Sequence, residues 1–457
     1  MMRPGILALA AALFCSAANA QTQIDIPIAQ ARVIMAQAAL GGDPALAVQI
    51  ANAILAQNPD DRDALVILAV APPRLSDPKA GREAGARAWH LSETPAQRYE
   101  AARVTALAAA NAEELTRATF WLRLALISAP NEAERARTIN DARAVSQRNP
   151  WSTQLSFSLV PSNNVNGGAE DDRSSAPGNP TGDLSEDAVA LKGWRASLGF
   201  TTQYRLQESA KSRTIASLQY QAARVWITEE SIVPNEAFNN STTQLSLSHD
   251  RVLDNGTLGL TFSRGLVEYR DLDLSARSTE KLTYDIWRLG VDRRFPVGER
   301  TNLSLSYGRE LLDYEATGIG EVNRNTIGAS LTYGLESGDQ ITGSVSFTDS
   351  VGDLDNYTSQ DQSLRVLYSW SEPIGPVTLT AGGGFKWADY PDYRVLFPVT
   401  GGRQDKTVFA EANIGFPEVS FAGFTPGLRV DLSKVDSNVS RFDRTTFSVG
   451  FTISSQF

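Results

Sequence analysis

Few residues of this chain are equipped for covalent chemistry. The two histidines, His90 and His249, are far apart in sequence, and the one cysteine, Cys15, lies in a leader-like segment. A hydrolytic site needs a base, usually histidine, beside a nucleophile or acid, and a zinc site needs several ligands together. A single histidine on a helix, as His90 is expected to be, is far more often structural than metal-binding. His249 falls on the apolar parity of a strand-like stretch, where it reads as a solvated interfacial side chain. The sequence has no HExxH, no GxSxG and no Gly-rich phosphate loop. No enzyme activity, cofactor or metal is expected.

A second set of polar residues carries more information. Arg195, Arg205, Arg288, Asp292, Arg365, Lys386, Glu411, Arg429 and Asp431 stand on the polar parity of alternating segments. If those segments are strands of a closed barrel, these side chains line its interior. Charges of both signs there suit either a hydrated channel or an interior partly filled by ion pairs and loops. No continuous basic ladder for conducting an anionic polymer is present.

The strands that would hold these residues are clearest at the end of the sequence. In TTFSVGFTISSQF, Phe447, Val449, Phe451, Ile453 and Phe457 share one parity, and Ser, Thr, Gly and Gln fill the other. A wall with hydrocarbon on one side and water on the other requires that pattern. Fourteen such stretches are predicted between Trp151 and Phe457. The connections between them alternate in length. Short turns fall at 209–211, 254–256, 296–300, 336–339, 373–376 and 418–423. Long connections fall near 162–193, 226–241, 270–281, 314–323, 350–360, 388–405 and 434–444. This alternation marks an outer-membrane barrel with periplasmic short turns, and an even strand number puts both barrel ends on the periplasmic side. Trp194, Trp226, Tyr269, Tyr284, Tyr314 and Trp387 near the long-loop ends, with Trp151 and Trp370 near the other, read as interfacial girdles.

The rest of the 457 residues divides in two. Residues 1–20 read as a signal peptide, with Arg3, an apolar run from Ile6 to Phe14 and Ala18-Asn19-Ala20 before the cleavage point. Phe14 before Cys15 argues against a lipoprotein box. The chain after that leader has no cysteine and no apolar run of about eighteen residues, so neither disulfides nor a spanning helix are expected. A net charge of −10 argues against nucleic-acid binding.

Residues 21–149 are alanine-rich and carry helix starts at Asp43-Pro44, Asp77-Pro78 and Thr94-Pro95, each a capping side chain before proline. Pro59, Pro95 and Pro130 recur at close to the roughly 34-residue period of paired-helix solenoids. Ala47 and Ala118 precede two of these prolines as small residues do in a tetratricopeptide (TPR) repeat, while the middle unit has Glu83 and His90 instead. A plain helical bundle is the alternative. Asn149-Pro150 stops the last helix and leaves almost no linker, so this unit is expected to be held close to the barrel, which takes up 150–457. The fold class is thus α+β multidomain: an all-α TPR-like solenoid followed by a fourteen-stranded antiparallel transmembrane β-barrel. A helical solenoid of this kind is a surface for holding another chain, or else a spacer packed beneath the barrel.

The first strand ends in LVPSNNVNGG, with Asn163, Asn164 and Asn166 before two glycines. These residues suit a tight exit from the strand. Together with the leader, the TPR-like unit, the short junction and the barrel, the segment Pro161 to Asn166 resembles the surface lipoprotein assembly modifier (Slam) family. That resemblance implies an outer-membrane protein that moves lipoproteins, or soluble haem-binding proteins, to the cell surface. The helical unit would then engage a client protein in the periplasm. Outer-membrane lipids, and the barrel-assembly machinery during biogenesis, would be the other partners. A polysaccharide-export porin, a general diffusion porin and a barrel hydrolase are the alternatives.

Overall fold

Proline and a short polar side chain at a helix start satisfy amides that have no intrahelical partner, and the helical unit uses this device repeatedly. The computed structural model describes residues 26–71, 77–314 and 318–455. Seven helices are described: α1 (Ile28–Leu40), α2 (Pro44–Gln57), α3 (Arg62–Val70), α4 (Pro78–His90), α5 (Pro95–Asn111), α6 (Leu115–Ile127) and α7 (Glu132–Arg148). Asp43 accepts from the Leu46 amide, Asp61 from Ala64, Asp77 from Lys79 and Asn131 from Glu134. Thr94 and Gln97 cap α5 reciprocally. Among the described residues no helix is long and apolar enough to cross a membrane.

Consecutive helices pack on one another through small residues. α5 buries Ala101, Ala102, Ala106, Ala108 and Ala109, and α4 buries Gly81, Ala84, Gly85 and Ala88. A Cβ on Gly85 would stand 2.3 Å from Thr105 Oγ1 and 3.1 Å from Thr105 Cα, so that crossing admits only glycine without displacement. Ala47 and Ala118 are buried. In the middle unit Glu83 and His90 are exposed, and the buried glycines and alanines of α4 take the contact instead.

Period-2 alternation begins at Trp151 and continues around a closed barrel. Its wall consists of β1 (Trp151–Ser162), β4 (Gly193–Glu208), β5 (Ser212–Ile227), β6 (Asn240–Leu253), β7 (Gly256–Asp273), β8 (Ser278–Pro296) and β9 (Thr301–Tyr314). It continues through β10 (Gly320–Gly334), β11 (Gln340–Gly352), β12 (Ser359–Ser369), β13 (Thr378–Tyr390), β14 (Arg403–Gly415), β15 (Phe424–Ser437) and β16 (Arg444–Ser455). Each strand pairs antiparallel with its sequence neighbour, and β16 returns to β1. The pair β2 (Arg173–Ser174) and β3 (Gly182–Asp183) forms a small hairpin inside the first long loop. The fourteen-stranded antiparallel barrel expected from the alternation is therefore the fold.

The wall is apolar outside. Leu245, Leu260, Phe262, Ile327, Val345 and Val366 all present exposed side chains there. Hydrocarbon solvates such a belt, whereas in water it would be an aggregation surface.

Two expectations need correcting. The connection near 270–281 is only the turn between Asp273 and Ser278, because β7 and β8 keep pairing as far as those residues. The polar segment that looked like a loop is hydrogen-bonded strand beyond the rim, where Lys281 pairs with Glu268. Tyr269, Tyr284 and Tyr314 are not girdle residues. They share parity with Ser263, Arg288 and Glu310, and their rings form an inward chain with centroids 5.8 and 4.2 Å apart over buried Ile286, Leu312 and Val322. Residue type near a strand end is not sufficient for a girdle position, because parity decides the face. Trp151, Trp194, Trp226 and Trp387 do face outward and are exposed. The leader, Ile24 and terminal Phe457 lie outside the described residues.

Candidate functional site

Alternation puts every second residue inside the barrel, and the charged ones among these meet across strands. Arg288 donates to Glu310 at 2.6 Å and to Gln244, while Arg324 reaches the other oxygen of Glu310 at 3.2 Å. Farther round the wall Arg365 donates to Glu411 at 2.6 Å. Glu411 also stands 3.8 Å from Arg429, which holds Asp431 at 2.9 Å. Lys386 pairs with Asp361 at 3.0 Å and Arg294 with Asp292 at 2.8 Å. The pairs of Glu310 with Arg288 and Arg324, of Lys386 with Asp361 and of Glu411 with Arg429 bind neighbouring strands together, Arg365 reaches Glu411 across β13, and the Arg294–Asp292 and Arg429–Asp431 pairs each lie within one strand. Arg195 makes no ion pair with any described residue and lines a cavity of about 330 Å³ with Gln221, Thr242 and Arg429.

Toward the long-loop rim lies a cavity of about 840 Å³ bounded by Glu310, Arg324, Asp361, Lys386 and Tyr390 among others. Arg403 closes its edge. Its guanidinium lies 3.3 Å from the Phe442 ring centroid and 4.2 Å from that of Tyr390, and its Nε donates to Asp405 at 3.0 Å. The first long loop folds over this edge. Ser440 donates its amide to the Ser175 carbonyl and Thr400 to that of Pro177, both at 2.9 Å.

The three asparagines are all engaged with backbone. Asn163 accepts from the Phe447 amide at 3.0 Å and donates to the Thr445 carbonyl at 3.2 Å, continuing the β1–β16 pairing past the strand end. Asn164 is buried and closes a ring with both backbone groups of Gly168, each at 2.8 Å. Asn166 donates to the carbonyls of Asp187 and Val189 and accepts from the Leu191 amide. A Cβ at Gly168 would fall 2.3 Å from the Val189 carbonyl carbon, so the loop closes on itself only with glycine there.

At the short-turn rim the helical unit grips the barrel. Arg123 of α6 donates to the Ala422 carbonyl at 3.1 Å and to Ser455 Oγ at 2.9 Å, and its guanidinium lies 4.6 Å from the Phe424 ring centroid. Burial pushes the Arg123 pKa down from its ordinary value. Arg135 of α7 donates to the Ser420 carbonyl at 2.7 Å. Arg205, which shares parity with the lumen residues, sits at this rim and donates to the carbonyls of Gln147 and Asn149 at 2.8 and 2.7 Å. Nothing local in the sequence signals that Arg123 and Arg135 meet a turn some three hundred residues away.

His249 faces outward near a short turn with Nδ1 2.8 Å from Thr214 Oγ1, and His90 is exposed beside Trp89. Among the described residues no group of three His, Cys, Asp or Glu could hold a metal ion.

Residues 276–457 match the family model described as Surface lipoprotein assembly modifier. No curated protein matches the chain in sequence. Solved structures that resemble it include the TodX monoaromatic hydrocarbon channel deltaS2 mutant, with 7% identity, a TM-score of 0.38, and coverage of 68% of this chain and 91% of that one. OccAB3 of Acinetobacter baumannii is 12% identical with a TM-score of 0.34, covering 66% of this chain and 98% of that one. A bacterial polysaccharide outer membrane secretin is 11% identical with a TM-score of 0.34, covering 67% and 98%. Likenesses this distant carry no argument beyond the topology already described.

Proposed function

Taking the C-terminal barrel region as that of a surface lipoprotein assembly modifier, an outer-membrane translocator, we propose that this chain carries particular client proteins to the cell surface. The helical unit lies in the periplasm and receives the client there, either a lipoprotein or a secreted soluble protein of the haem-binding type. The barrel provides the route or the assembly platform, with outer-membrane lipids around it and the barrel-assembly machinery acting during biogenesis. The TPR-like reading of residues 21–149 belongs to the same proposal, since stacked helix pairs leave a surface for holding another chain.

The observation that carries this reading is the grip of α6 and α7 on the turn at 416–424, inside the segment that matches the family. A receiving unit fixed to the rim delivers its client to one place. A freely tethered one would not.

The test compares the protease-accessible surface proteome of intact cells with and without the gene, with total-protein controls and a third strain lacking residues 24–149. One or a few proteins should leave the surface yet persist inside the cell, in both deletion strains. An unchanged surface proteome would refute the proposal, and conductance and sugar export by the purified barrel would then be measured.

A further inference from the structure

The cavity of about 840 Å³ at the long-loop end of the lumen combines aromatic rings, paired charges and hydroxyls. Its volume is within the roughly 300–1,000 Å³ of sites that enclose small ligands. Four tyrosines line it: Tyr314 of β9, Tyr357 of the β11–β12 connection, Tyr390 of β13 and Tyr393 of the β13–β14 connection. Tyr314 and Tyr357 pack with ring centroids 6.0 Å apart, and Tyr390 and Tyr393 with centroids 6.1 Å apart. Tyr357 is still 37% exposed, so part of its ring is open to a ligand. The hydroxyls of Tyr357 and Tyr390 make no hydrogen bond with a described residue.

The charges of the lining are matched. Arg324 donates to Glu310 at 3.2 Å, Lys386 stands 3.0 Å from Asp361, and Arg403 donates to Asp405 at 3.0 Å. No cation of the cavity is left without a carboxylate, so nothing in it selects an anionic ligand. Such pairs still hydrogen-bond, because a carboxylate beside a cation offers an acceptor and a donor to two neighbouring hydroxyls. Ser346 and Ser363, register partners on β11 and β12, add hydroxyls that have no hydrogen-bond partner among the described residues.

An open ring face, neutralised ion pairs and free hydroxyls together suit a pyranose. Its C–H face packs on an aromatic ring, and its hydroxyls donate and accept around the edge. The lining lies on the lumen side of β9 to β13, so the wall itself separates it from hydrocarbon and a ligand arrives from water. We propose that this cavity binds a neutral, water-borne saccharide, with Tyr357 as the stacking platform and Tyr390, Asp361 and Lys386 bonding the sugar hydroxyls. The proposal is independent of the translocator reading. A polypeptide in transit is the competing occupant.

The test applies the full chain, in a detergent without a sugar headgroup such as lauryldimethylamine oxide, to an array of neutral and anionic glycans. The best neutral binder is then titrated by calorimetry. Saturable binding with a Kd of about 1 mM or tighter is expected. Tyr357→Ala should weaken it roughly tenfold, and Tyr390→Phe, which removes only a hydroxyl, about threefold. Tyr333→Ala, on the outer wall, should leave it unchanged. Heat-dependent gel mobility establishes that each variant is a folded barrel. Absence of binding to any neutral glycan would overturn the proposal, as would a preference for anionic glycans or full affinity in both cavity variants. A reduced, carboxymethylated polypeptide provides the last arm. If it binds in a Tyr357-dependent way while no glycan does, the cavity belongs to a polypeptide path and the saccharide site is refuted.

Discussion

The helical unit and the barrel solve the same patterning problem in opposite directions. In the helices the apolar stripe turns inward, and at the α4–α5 crossing it is mostly alanine and glycine, so that the two helices approach until Gly85 touches Thr105. In the barrel the apolar parity turns outward and is made of Leu, Ile, Phe and Val, while charge pairs such as Arg365 with Glu411 occupy the inside. The small-residue interface tolerates no added volume, and the lipid-facing wall tolerates no added charge. Which perturbation a region resists therefore reveals which solvent its apolar face meets.

The largest effect should come from charging the outer wall. Ile327→Arg, at the middle of β10, should cost about 2–4 kcal/mol of barrel stability, the depth-dependent penalty of a cation at the bilayer midplane. Folding titrations into vesicles would measure it. A loss no larger than for Ser330→Arg, which faces the lumen on the same strand, would break the contrast.

Adding volume tests the other half. Gly85→Leu should destabilise the helical unit by about 1–3 kcal/mol through overpacking at the α4–α5 crossing. The barrel's resistance to heat in detergent should be unchanged. Ala329→Leu, which adds bulk on the outer wall, should leave both transitions in place, as followed by circular dichroism and gel mobility.

Capping gives a smaller signal confined to the helices. Thr94→Ala removes one side of the reciprocal cap on α5 and should cost about 1 kcal/mol, seen as a lower helical melting temperature alone.

The smallest effect is pH-dependent and belongs to a short turn of the barrel. Asp339 accepts the Ser371 amide at 2.9 Å and the Tyr368 hydroxyl at 2.7 Å, and with Ser337 these hold its carboxyl down to about 2. A carboxylate depressed in the folded state contributes its stability above the unfolded-state value and loses it as pH falls through the folded one. Asp339→Asn should therefore lower the melting temperature slightly near neutral pH, and the gap from the unaltered protein should close as pH falls toward about 2. A gap that persists in acid would assign the effect to the turn's shape rather than its charge.

Much of this was legible in the sequence because it is local. Asp43-Pro44 and Thr94-Pro95 start helices, since a cap acts within one turn of itself. Leu364 and Val366 face out and Arg365 faces in because neighbouring side chains of a strand must. The same rule places Tyr284 and Tyr314 inside once their parity with Arg288 and Glu310 is followed, in spite of their position near strand ends. Composition misjudged the segment around 270–281, because polar residues form strand as readily as loop where both faces meet water.

The sequence by itself determined the helical unit, the fourteen strands, their inward and outward faces and the rim that carries the helices, for these follow from periodicity and from an even strand count. Only the tertiary structure decided that β16 closes on β1, that Arg123 reaches Ala422, and that Glu411 stands between Arg365 and Arg429. Those contacts join segments far apart in the chain, and each depends on the register of every strand between them. A repeat read along the chain gives the face each residue points to, whereas the partner it meets is set by how the whole sheet closes.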